Sequence, residues 1–206
     1  MLLYGKRVAS LVAATLLLSA SLAGAHEERP APASPLTENA PMPAIRMAPD
    51  FALDGVRLSG LRGRPVLIAF IYTSCTSACP LLSARMARLQ RKLIAARLPA
   101  VLLSVTVDPE HDDAKTLARF AEAIGAKPGW HFLRAERERL APVLAAYDEW
   151  THVLPSGELD HPARLHLIDG AGRVREIYSL AFFDEEQAFL DIAALERENW
   201  GQTPQN

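Results

Sequence analysis

The sequence predicts an α/β sandwich: a central mixed sheet with helices on both faces. Two apolar runs, VLIAFIY at 66–72 and VLLSVTV at 101–107, are uninterrupted and rich in β-branched residues. Such runs suit strands buried on both sides. Between them a helical pattern covers about 81–97. Leu82, Met86, Leu89 and Leu93 share one face, with Arg85, Arg88, Arg91 and Lys92 largely opposite. Strands that alternate with helices imply a parallel sheet covered on both faces.

The remaining elements follow in order. Residues 51–58 read as a small hairpin turned by Asp54-Gly55, a favoured two-residue turn. Asp112 or Asp113 is placed to cap a helix after the second strand, and Gly125 to end it. A short strand at 130–133 and a helix around 136–147 come next. A third strong strand at 164–169 is joined by Gly170-Ala171-Gly172 to a fourth at 174–179. Asp184 opens a last helix reaching about 199. The order is hairpin, β, α, β, α, short β, α, ββ, α, which is that of a thioredoxin-like sandwich.

The chain has 206 residues, enough for one well-packed domain and too few for two. Lys6 and Arg7 precede an apolar run over 8–22, and Ala23-Gly24-Ala25 supplies the small residues of a cleavage site. The run falls short of the roughly 20 residues a bilayer needs, so residues 1–25 are expected to be a signal peptide. An uncleaved N-terminal anchor is the alternative, and the only route to a membrane. Residues 26–46, with Pro30, Pro32, Pro35, Pro41 and Pro43, read as an extended linker. The folded domain is expected over 47–206, in the periplasm. A net charge of −2 with no basic patch argues against a nucleic-acid partner.

Export frames the two cysteines, Cys75 and Cys79. In an oxidising compartment a pair commonly forms a structural disulfide, but a bridge closing so short a loop stabilises little. The pair is therefore read as chemical. It lies at the turn from the first buried strand into the first long helix, with Pro80 tolerated in the first turn. A helix starting near Cys75 would put both sulfurs on one face. Their β-carbons would then lie roughly 5–6 Å apart, against the roughly 3.5–4.5 Å of a disulfide. Two thiolates sharing a metal, at about 2.3 Å in the comparable zinc case, fit that spacing. Helix amides also favour thiolate, which is both nucleophile and ligand.

A third ligand is sought among six histidines. His161 precedes the strand at 164–169, whose start faces the cysteine turn in a thioredoxin-like fold. His152 lies in a loop that approaches the same end. His26 falls in the expected linker, His166 is expected to pack within its strand, and His111 and His131 at surface or edge. Asp160 or a more distant group is expected to orient His161.

The stretch Phe70-Ile71-Tyr72-Thr73-Ser74-Cys75-Thr76-Ser77-Ala78-Cys79-Pro80 resembles the copper site of the Sco/SenC copper chaperones. So do Ser104-Val105-Thr106-Val107-Asp108-Pro109-Glu110, then Asp160-His161, and Leu167-Ile168-Asp169-Gly170. The likeness runs from about Met47 to Leu195. It implies a thioredoxin-like protein holding one copper ion, Cu(I) or Cu(II), through Cys75, Cys79 and His161. It also implies assistance to the copper-A centre of cytochrome c oxidase, by donating copper or by reducing that site's cysteines. Thr76, Ser77-Ala78 and Pro162 depart from the family's usual residues but leave the ligands intact. Soft thiolates favour Cu(I) and imidazole suits either oxidation state, whereas zinc prefers four closed ligands.

A thiol–disulfide oxidoreductase acting through Cys75 and Cys79 is the competing reading. The three-residue spacing between the cysteines argues against it, since dedicated oxidoreductases of this fold use two. A peroxidase lacks its usual cysteine context here.

Overall fold

The computed structural model describes residues 42–76 and 79–198. The expected leader, most of the linker with His26, and the chain's end lie outside them. Among the described residues no helix is long and apolar enough to cross a membrane.

The first strand, β1 (Arg46–Met47), is followed by a hairpin of β2 (Ala52–Leu53) and β3 (Val56–Arg57). Asp54 and Gly55 turn it with φ of 49° and 80°, both in the left-handed region that this tight turn demands. A single 3-10 turn, Leu58–Leu61, leads to β4 (Val66–Ile71). Helix α1 (Cys79–Ala96), β5 (Val101–Thr106), α2 (Ala114–Ala123), β6 (Trp130–Leu133) and α3 (Arg137–Ala146) follow. A small hairpin of β7 (His152–Val153) and β8 (Leu159–Asp160) precedes β9 (Leu165–Ile168) and β10 (Arg173–Tyr178). The last helix is α4 (Glu185–Arg197).

Six strands form one sheet in the order β1-β10-β9-β4-β5-β6. Strands β4, β5 and β6 run parallel, while β9 is antiparallel to β4 and β10 to β9. Every residue of β4 and β5 is buried, so both faces of the sheet are covered. Helices α1 and α4 pack against each other, and Tyr147, just past α3, meets the sheet at Phe70 and His166. The mixed sheet and helix order agree with the sequence reading.

Local signals explain most boundaries. Asp113, not Asp112, caps α2 by accepting the Thr116 amide at 2.7 Å. Gly125 follows that helix with φ +73°. Asp184 caps α4 by accepting the amides of Glu186 and Gln187. Asp169 closes the β9–β10 turn, accepting the Arg173 amide at 2.8 Å and pairing with Arg173 and Arg175.

Helix α1 begins at Cys79, close to the expected 81. The arrangement that a start near Cys75 would have given, with both cysteines on one helical face, is therefore not formed. Cys75 stays in the turn because the preceding Thr73 is held by a residue far along the chain.

Candidate metal centre

Strand directions decide which segments meet. Ala69 of β4 pairs with Leu165 of β9, and Val66 with Ile168. The residues after β4 and those before β9 therefore lie at the same end of the sheet. Parallel β5 delivers its own outgoing loop there too, with the Val107 amide donating to the Ile71 carbonyl at 2.8 Å. Residues 72–76, 107–112 and 158–164 form one rim.

Side chains tie these segments together. Tyr72 donates its hydroxyl to the Leu159 carbonyl at 3.0 Å, and its ring meets that of His161 edge-on at 5.8 Å between centroids. Thr76 donates its hydroxyl to Glu158 at 2.6 Å. Cys75 is buried and donates its amide to the Tyr72 carbonyl at 3.5 Å. The turn carrying Cys75 is thus joined through Tyr72 to the segment carrying His161. Cys79 is the first residue of α1, and its side chain lies outside the described set. Among the described residues no three His, Cys, Asp or Glu side chains gather into one metal-sized cluster.

Two buried carboxylates shape this rim, and sequence reasoning assigned neither its role. Asp112 is fully buried. It accepts the Thr73 amide at 3.1 Å, the Thr73 hydroxyl and, at 2.5 Å, the Thr106 hydroxyl. It therefore locks the end of β5 to the start of the cysteine turn. The doubled Asp112-Asp113 was the available signal, because one cap needs one acid. Glu149 is the second, with its side chain wholly buried. It accepts the Arg164 amide at 3.0 Å and stands 3.4 Å from Nδ1 of His161. Nothing in the sequence near Glu149 signals this.

The other histidines scatter. His152 is exposed on β7 and faces Asp160 across the small hairpin. Asp160 is thus engaged with that strand, and Glu149, a more distant group, is the one beside His161. His111 is exposed, with Nδ1 2.9 Å from Asp108; this carboxylate raises the imidazole pKa, chiefly by hydrogen bonding. His131 is exposed on β6. His166 is sealed in the core. No cis peptide bond occurs among the described residues, so the bond before Pro162 is trans. A cleft of about 570 Å³ opens beside the rim, lined by Tyr72, Ser74, Asp108, His111, Val153 and Leu159.

The SCO1/SenC family model matches residues 50–196. The chain belongs to that family. It is 33% identical over 131 residues to the SCO1 protein homolog of Bacillus subtilis, covering 60% of this chain and 66% of the relative. The chain spans about half to two thirds of the curated relatives it matches. Among solved structures, a SCO1/SenC family lipoprotein from Bacillus anthracis superposes with a TM-score of 0.68 at 23% identity. That match covers 76% of this chain and 99% of the other. Bradyrhizobium japonicum ScoI with copper bound gives 0.61 at 26% identity, covering 72% and 99%. The family assignment and the α/β fold agree with the reading of the sequence.

Proposed function

We propose that the chain is a copper chaperone. It holds one copper ion through Cys75, Cys79 and His161, and assists assembly of the copper-A centre of cytochrome c oxidase. Residues 1–25 act as the export leader and the proline-rich stretch after them as a spacer, placing the domain in the periplasm. The fold starts earlier than the expected 47, since Met42 is buried and Arg46 lies in β1. Copper here is cargo, taken up and released by ligand exchange.

One observation carries this reading. The turn bearing Cys75 and the segment bearing His161 meet at one end of the sheet, joined through Tyr72. Cys79 opens α1, where helix amides favour thiolate over thiol. With Nδ1 of His161 already in contact with Glu149 and the Ala163 amide, Nε2 is the nitrogen a metal would take. Two thiolates and an imidazole suit copper. Membership of a family whose relatives include a ScoI solved with copper bound supports the same cargo.

The test is metal analysis and visible absorption of the protein purified from copper-supplemented cells. Wild type is expected to carry one copper. His161→Ala should lose tight binding while keeping its thiol exchange. If that variant still holds one tightly bound copper, the ligand set is wrong. If wild type reduces a model disulfide at enzyme-like rates and ignores copper, the oxidoreductase reading replaces this one.

A further inference from the structure

Helix α3 ends in a way that delivers a carboxylate to His161. Asp148 adopts φ +56° just past the helix. The Asp148 amide donates to the Ala145 carbonyl, and the Glu149 amide donates back to Leu144 at 2.9 Å. This paired arrangement is a Schellman stop, and it turns the chain so that Glu149 enters the rim. There its side chain is wholly buried and that of His161 is 5% exposed.

The imidazole has two neighbours at one nitrogen, and they ask opposite things of it. The Ala163 amide lies 3.2 Å from Nδ1 and can donate only if Nδ1 carries no proton. Glu149 Oε2, 3.4 Å away, is an acceptor and favours a proton there. Neutral imidazole holds one proton, so the choice at Nδ1 fixes the state of Nε2. A proton on Nδ1 leaves the Nε2 lone pair for a metal; a proton on Nε2 blocks it. A buried carboxylate oxygen without a donor is costly. The Arg164 amide already serves Oε1, which leaves His161 as the donor beside Oε2.

We propose that Glu149 is a positioning residue that holds His161 in the Nδ1–H tautomer, presenting Nε2 as a metal donor. Ala163 competes for the same nitrogen, having accepted a left-handed backbone with φ +51°. Glu149 does not touch the metal. It acts through the ring, fixing its orientation and raising the donor strength of Nε2. This assignment rests on His161 being a copper ligand.

The first experiment needs no variant and no metal. Nitrogen-15 spectra of the imidazole in the copper-free protein should show Nδ1–H as the major neutral tautomer of His161. An Nε2–H majority overturns the assignment. The second uses Glu149→Gln, which keeps an oxygen for the Arg164 amide but loses the charge. It should move the tautomer balance toward Nε2–H. It should also weaken Cu(I) binding, measured against a competing chelator, by about tenfold or more. Its melting temperature should stay close to wild type. Wild-type tautomer and wild-type affinity in that variant overturn the proposal. His161→Ala separates the two readings. If it keeps wild-type copper affinity, the ligand reading falls and this assignment falls with it. If it loses copper while Glu149→Gln is unchanged, only the Glu149 assignment falls.

Discussion

The rim of the sheet and its middle each bury a histidine on the same stretch of chain, and they treat it differently. His161, before β9, has a carboxylate and an amide at one ring nitrogen. His166, inside β9, has Phe70 and Tyr147 edge-on to its ring and no hydrogen-bond partner at either nitrogen among the described residues. Both side chains are largely buried, at 5% exposure for His161 and none for His166, so burial alone does not explain the difference. Partners do. A ring with one nitrogen engaged has its other nitrogen left for a ligand, whereas a ring among aromatics serves as packing. The rim concentrates the acids Asp112, Glu149 and Glu158 around the chain turns, and the middle excludes them.

If the rim is held by its buried acids, removing the most heavily bonded should cause the largest loss of stability. Asp112→Ala deprives the Thr73 amide and the Thr73 and Thr106 hydroxyls of their acceptor. Each buried donor left alone costs about 1–3 kcal/mol, so a loss of roughly 4 kcal/mol is expected. In a domain this size that lowers the melting temperature by about 10 °C. Thermal unfolding followed by circular dichroism measures it. A variant melting within a degree or two of wild type would show that the cysteine turn holds itself.

The middle answers to pH instead. Burial lowers the His166 pKa to about 4 from the ordinary 6.5, with Arg46 and Arg164 adding to the effect. The unfolded chain therefore takes up this proton first as pH falls. Stability is unaffected by this group above about pH 6.5, and declines as pH falls from there to about 4. Over that window the loss approaches about 3 kcal/mol. His166→Leu, of similar volume and with no proton to gain, should lose less stability than wild type between pH 7 and pH 4.5 in urea titrations. Parallel losses in the two proteins would place the acid sensitivity elsewhere.

What the sequence made legible divides along the same line. Strands β4 and β5 announced themselves because burial on both faces forces unbroken apolar runs. Caps were readable at Asp184 and Gly125 because a cap acts within one turn of its own helix. The rim was harder. Asp112 meets Thr73 across 39 residues and Glu158 meets Thr76 across 82, and no local pattern encodes such partners. For the same reason the position of Cys75 ahead of α1 was open: Thr73 is anchored to Asp112, which keeps the turn out of the helix. The two-residue strands β1, β7 and β8 went unseen because their pairing is set by neighbours in space. His161 was found from its place before a strand and from family likeness. Glu149, which stands beside it, could be found only in three dimensions.

The smallest expected effect tests whether the rim is fastened at both ends of the cysteine turn or only at Asp112. Thr76 is exposed, and its hydroxyl bond to Glu158 competes with water. Thr76→Val keeps the shape and removes that bond, so it should cost only about 0.5–1 kcal/mol. Amide exchange at 158–161 should quicken slightly, and the denaturation midpoint should barely move. A loss above about 2 kcal/mol would mean that the outer fastening governs the turn. Cys75 would then owe its place to the 158–161 segment, and the two proposed ligand segments would fold as one unit. A small loss leaves Asp112 as the anchor and the outer bond as a clasp that opens without unfolding the rim. That second outcome suits the proposed cargo exchange, because a partner could then part Glu158 from Thr76 while Asp112 keeps the base of the turn in place.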